Sequence, residues 1–145
     1  MIKINILIDY LPKLPYNEEA IKELAQSVLL SNNYNNVNLS IILSNRVYLN
    51  KLKKKYLDLD YYTDVIAFNL SDNNDCLEGE IYVSIDDVKE NAMIFKQSYN
   101  NELKRIIVHG VLHLIGYDDT SEKEIEIMKE LENKYIDKFK ENILE

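Results

Sequence analysis

Residues 101–119 read NELKRIIVHGVLHLIGYDD, and the first two-thirds of this stretch decides the fold. Leu103, Ile106, Ile107, Val108, Val111, Leu112, Leu114 and Ile115 cover nearly every face of a helix from about Asn101 to Ile115. A helix that is apolar all round is a buried helix. Gly116 stands where a left-handed cap would end it. A buried helix needs apolar layers around it, and the flanking sequence is expected to supply them.

On the C-terminal side, Ser121 to Glu124 (SEKE) is a capping box, a hydroxyl followed three residues later by a carboxylate. It opens a last helix with Ile125, Met128, Leu131, Tyr135 and Phe139 at helical spacing. On the N-terminal side, Ile2, Ile4, Ile6 and Ile8 alternate as in a strand. Asn17 caps a helix with the stripe Ile21, Leu24, Ala25 and Val28, and Asn32 to Asn36 is a polar turn. Val37 to Ser44, Thr63 to Leu70 and Glu80 to Ile85 read as three further strands. Asn45 to Leu57 reads as a short basic helix or helical turn, and Asp86 to Gln97 as a helix with Val88, Ala92 and Phe95 on one side. The sum is an α+β fold, with a small mixed four-stranded sheet packed against several helices and a buried central helix. No repeat or linker divides residues 1–145, so one domain is expected.

Composition narrows the class. Of 145 residues, 46% are hydrophobic and 29% charged, as in an ordinary globular protein. The net charge of −8 argues against a protein that grips nucleic acid over its whole surface. One cysteine, Cys76, rules out an intramolecular disulfide. The opening MIKINILIDYLPKLP lacks the continuous apolar stretch of a signal peptide, and no run is long enough to span a bilayer. A cytoplasmic setting is expected, with no membrane partner.

The chain has 2 histidines, His109 and His113, four apart on the buried helix. At this spacing both imidazoles share one face, a turn apart. Gly116 lets the backbone turn sharply and bring Asp119 beside them. The pattern His-x-x-x-His-x-x-Gly-x-x-Asp supplies two nitrogens and one carboxylate, with a coordination position left over, as in a catalytic zinc site. Asp118 is placed to orient a ligand or contact substrate. In zinc peptidases of the His-Glu-x-x-His pattern the glutamate is the general base. Gly110 holds that position here, which disfavours peptide hydrolysis by that route.

His109 to Asp119 (HGVLHLIGYDD) closely resembles the signature of the YbeY endoribonuclease family, the bacterial rRNA maturation factors, which reads His-Gly-x-Leu-His-Leu-x-Gly-Tyr-Asp-His. Thr63, Asp64, Val65 and Phe68 are similar to the family's Thr-Asp-Val-Leu-Ser-Phe strand. Gly79, Glu80, Ile81 and Ser84 are similar to its Gly-Asp-Ile-x-Ile-Ser strand. Ser98, Glu102 and Met128 also fall where the family has such residues. The similarity runs from about Leu52 to Leu131. It implies a metal-dependent, single-strand-specific endoribonuclease that matures the 3′ end of small-subunit (16S) rRNA and serves ribosome quality control. It implies one zinc held by His109, His113 and Asp119, and Thr63 and Ser84 as cleft-lining hydroxyls. Three departures stand out. Asp119 replaces a third histidine, which broadens metal preference towards harder ions. Leu57 replaces an arginine after Tyr56 and before Asp60, and Glu80 replaces an aspartate.

Basic charge is concentrated in Arg46, Lys51, Lys53, Lys54 and Lys55, whereas the segment from Asp118 onward is strongly acidic. Lys53, Lys54, Lys55 and Arg105 are the expected phosphate contacts. No aromatic RNA-recognition motif is legible, so no base-specific reading is indicated. Expected partners are rRNA and small-subunit components, with ribosome-assembly proteins suited to the acidic surface. Two rival readings are a zinc peptidase and a non-catalytic ribosome-assembly factor braced by its metal.

Overall fold

The structure is a computed structural model and describes residues 1–10, 14–57, 64–72 and 75–144. The chain runs β1 (Ile2–Ile8), α1 (Glu18–Ser31), β2 (Val37–Ser44), α2 (Arg46–Leu52), a π-helical turn (Lys53–Leu57), β3 (Val65–Asn69), β4 (Leu77–Ser84), α3 (Ile85–Ile94), α4 (Tyr99–Leu114) and α5 (Glu122–Lys138). The sheet order is β1-β2-β4-β3. β1, β2 and β4 are parallel, and β3 pairs antiparallel with β4. This is the mixed four-stranded α+β fold that the sequence predicts. β4 starts at Leu77, three residues before the expected Glu80, because Leu77 to Gly79 continue the ladder along β2.

The predicted helix ends are where local chemistry puts them. Asn17 accepts from the Ala20 N–H, and Ser121 with Glu124 closes the capping box. Asn33, at φ 66°, takes the left-handed position after α1, in the turn expected from its asparagines. Ile85, read as the end of a strand, is instead the first residue of α3. Ser84 caps that helix and so stops β4.

One face of the sheet carries α1 and α4, with α3 and α5 packed on α4. Leu24, Leu39, Ile81, Leu103, Ile107 and Leu112 are wholly buried between these layers. Each contributes about 1.5–3 kcal/mol of apolar burial. Among the described residues the other face is covered by α2 and the π-helical turn, over a smaller cluster of Leu49, Leu52 and Ile66. α4 is the buried central helix the sequence predicts, and its His109 and His113 are half-buried at the face turned to α5. Phe95, expected on the apolar side of α3, is 61% exposed, because α3 ends at Ile94 and Lys96 turns the chain away at φ 53°.

Candidate metal centre and its cleft

His109 and His113 lie on consecutive turns of α4, with ring centroids 4.5 Å apart. α4 then ends in a Schellman turn. Gly116, at φ 107°, donates its N–H to the His113 carbonyl (3.1 Å), and Tyr117 donates to that of Leu112 (3.0 Å). The Tyr117 hydroxyl donates to Asn32 Oδ1 at 3.2 Å and pins the turn to the end of α1. The arm is fixed at its far end by Thr120, which donates to Glu124, and by the capping box of α5. Between these anchors Asp119 returns to the histidines. Its Oδ2 stands 3.4 Å from His109 Nε2 and 3.4 Å from His113 Nε2. The three donor atoms all lie within 4.8 Å of one another, so this group can hold a metal ion.

Glu132, on α5, accepts from His109 Nδ1 at 2.6 Å. A carboxylate on Nδ1 fixes the tautomer and leaves the Nε2 lone pair facing Asp119, the arrangement that orients an imidazole towards a metal. Glu132 in turn accepts from Arg105 Nη1 at 3.1 Å, and Arg105 Nη2 reaches Asn133 at 2.9 Å. Burial pulls the His109 pKa down, but the Glu132 hydrogen bond, with the charges of Glu132, Asp64 and Asp119, more than offsets it and leaves it raised.

A cleft of about 200 Å³ opens beside the histidines, lined by Asp64, Glu102, Arg105, His109, Asp119 and Glu132, with Asn91, Phe95 and Lys129 also on its wall. Glu102 is only 2% exposed, and its Oε1 has no hydrogen-bond partner among the described residues. Burial raises its pKa against the pull of Arg105, and Asp64 and Glu132 add to the rise. Burial likewise raises the pKa of Asp64, opposed by His109. The cleft thus sets His109 and Asp119 of the donor group beside further carboxyl groups, the Arg105 guanidinium and Lys129.

The expected site residues separate in three dimensions. His109, His113 and Asp119 converge, and Arg105 lines the same cleft with its guanidinium committed to Glu132 and Asn133. Lys53 is 5% exposed and lies within the field of Asp64, while Lys54 and Lys55 are exposed on the π-helical turn. Ser84 is fully buried and its hydroxyl is spent on the cap of α3, where it lies 2.5 Å from Asp87 Oδ2. Asp118 is exposed, and no hydrogen bond among the described residues ties it to either imidazole. Thr63 and Asp60 lie outside the described residues. The carboxylate that orients His109 is Glu132, which the sequence reading passed over. Its signal was there: Glu132 sits four after Met128 and three before Tyr135, a charge in the register of the apolar stripe.

Fold and site together define an α+β protein with an open two-histidine, one-carboxylate centre on its buried helix. A protein-family model described as Endoribonuclease YbeY matches residues 10–140. Among curated relatives, Endoribonuclease YbeY of Flavobacterium johnsoniae is 36% identical over 85% of this chain and 88% of its own. That of Amoebophilus asiaticus is 39% identical over 86% and 84%. A Thermotoga maritima protein solved in solution superposes with a TM-score of 0.62 at 27% identity, covering 94% of this chain and 89% of that one. The chain belongs to the YbeY endoribonuclease family.

Proposed function

We propose that this chain is a metal-dependent, single-strand-specific endoribonuclease that acts in maturing the 3′ end of small-subunit (16S) rRNA and in ribosome quality control. The observation that carries the reading is the convergence of His109 Nε2, His113 Nε2 and Asp119 Oδ2, with Glu132 behind His109. Zinc is the ion proposed, because two imidazoles and one carboxylate suit it and leave a position for a further ligand. When bound there, a divalent ion lowers the pKa of a coordinated water towards about 7 and polarises a phosphodiester oxygen. His109, His113 and Asp119 hold that ion, and Glu132 keeps His109 in the ligating tautomer. Arg105 sets positive charge on the cleft wall, and the exposed Lys54 and Lys55 line the approach for phosphates, whereas Lys53 is buried under the turn and is withdrawn from that role. We place the protein in the cytoplasm, with rRNA, small-subunit components and assembly proteins as partners. Among the described residues no helix is long and apolar enough to cross a membrane.

Gly110 weighs against the peptidase reading. A Cβ there would lie 2.8 Å from Ile81 Cγ2 and 3.0 Å from Val65 Cγ2, so position 110 faces the sheet and has no room for a general base. The deciding experiment is cleavage of a single-stranded RNA by the wild type and by His113→Ala, each with and without chelator. Cleavage is expected only from the metal-loaded wild type. Equal cleavage in all four arms removes the catalytic claim, and no cleavage in any arm leaves the assembly-factor reading. Bound metal measured in Asp119→Ala and Asp119→His separates the third ligand: stoichiometry should fall in the first and persist in the second.

A further inference from the structure

On the far face of the sheet, among the described residues, four aromatic rings gather at the edge of the cover that α2 and the π-helical turn provide. Phe68 and Tyr82 stand on neighbouring strands as diagonal partners, with centroids 5.9 Å apart at 80°. Tyr56, from the π-helical turn, meets Phe68 at 5.9 Å and 75°, and Tyr48, from α2, meets Tyr82 at 6.1 Å and 52°. These rings line an open cavity of about 480 Å³ with Leu57 and Leu70. Tyr56 is 59% exposed and Tyr48 39%. An apolar patch of this kind on a protein surface marks an interaction site.

The charge beside it says what it fits. The protein carries −8 overall, yet Lys51 and Lys55 are exposed on the helix and turn that supply Tyr48 and Tyr56. Lys55 Nζ lies 5.1 Å from the centre of the Tyr56 ring. The acid in the lining, Glu80, accepts from the Tyr82 hydroxyl at 3.3 Å. Rings beside lysines are the chemistry of single-stranded nucleic acid: cations track the phosphates while unpaired bases stack on π-faces. An acidic peptide would use the lysines and leave the rings idle, and an apolar one the reverse.

The patch shares no lining residue with the metal cleft, but β3 leads from one to the other: Asp64, just before β3, lines the cleft, and Phe68, on β3, lines the patch. Phe68 follows Asp64 by four residues, about 13 Å of extended strand. The geometry points to a base-stacking subsite, in which the cavity formed by Tyr48, Tyr56, Phe68 and Tyr82 takes unpaired bases of a single-stranded RNA whose phosphates run past Lys51 and Lys55. This rests on the RNA reading above and adds to it how a strand is held away from the reacting bond.

The chain has no tryptophan, so Tyr56→Trp installs one reporter indole in the patch. Binding is followed in chelator, which keeps the strand intact, with a 12-nucleotide single-stranded RNA, an abasic ribose–phosphate strand of equal length, and an RNA duplex. Quenching of the indole is expected with the first alone. Tyr48→Ala and Tyr56→Ala should each raise the dissociation constant for RNA about tenfold, leave that for the abasic strand unchanged, and be rescued by Tyr→Phe. Both side chains are exposed, and circular dichroism verifies folding. Wild-type affinity in both alanine variants, or an equal loss on the abasic strand, overturns the subsite and leaves the patch to a protein partner. Cleavage without quenching retires the subsite and keeps the nuclease. Quenching in a protein that cleaves nothing keeps the subsite and retires the nuclease.

Discussion

Glu132 and Glu102 sit one helix apart on the same cleft, and their partners give them opposite roles. Glu132 is spent on His109 Nδ1 and Arg105, so it acts on a candidate metal ligand. Glu132→Gln should weaken zinc affinity about 10–100-fold, measured by competition with a chromophoric chelator. Wild-type affinity in that variant would remove Glu132 from the centre. Glu102 has an unpartnered oxygen, and burial raises its pKa in the folded chain, with Arg105 opposing and Asp64 and Glu132 adding. The native state therefore holds this proton at pH values where the unfolded chain, with an ordinary carboxyl near 4.3, has released it. Stability from this group is full below that value and is lost as pH rises through the folded pKa. In metal-free protein, Glu102→Gln should make the decline shallower in urea unfolding between pH 4 and 8. An unchanged slope would contradict it.

At the scale of the element, the Schellman turn decides where Asp119 stands. Among the described residues nothing lies within 4 Å of a Cβ built on Gly116, so the cost of a side chain there is backbone strain, at φ 107°. Gly116→Ala should lose about 1–2 kcal/mol in denaturant unfolding. It should also weaken metal binding, since the arm swings from this residue. Loss of stability with intact metal affinity would show that the capping box of α5 holds the arm unaided. α4 itself is well fastened, with Lys104 donating to the Phe139 carbonyl at 2.9 Å beyond the end of α5.

Across the whole molecule, the donor set links α4 to the arm before α5, while Glu132 ties α5 back to α4. A metal ion that binds only the folded chain stabilises it by mass action, about 2.7 kcal/mol at a hundredfold excess over the dissociation constant. Zinc should raise the Tm of the wild type and leave Asp119→Ala unmoved, and amide exchange in α5 should slow with it. An equal shift in both proteins would place the ion elsewhere.

The amino-acid sequence by itself determined the order of the elements and which three side chains could hold a metal, because both depend on local spacing. Two histidines four apart must share a helix face, a glycine after them must permit the reversal, and a hydroxyl with a carboxylate three later must cap α5. Ser84 shows the limit: the family resemblance implied a cleft hydroxyl there, but the α3 N-terminus claimed it. Only the tertiary structure brought Glu132 to His109, 23 residues apart. It also assembled four rings from α2, a π-helical turn and two strands into one patch. Pairing across elements depends on which faces meet, and no period along the chain encodes that.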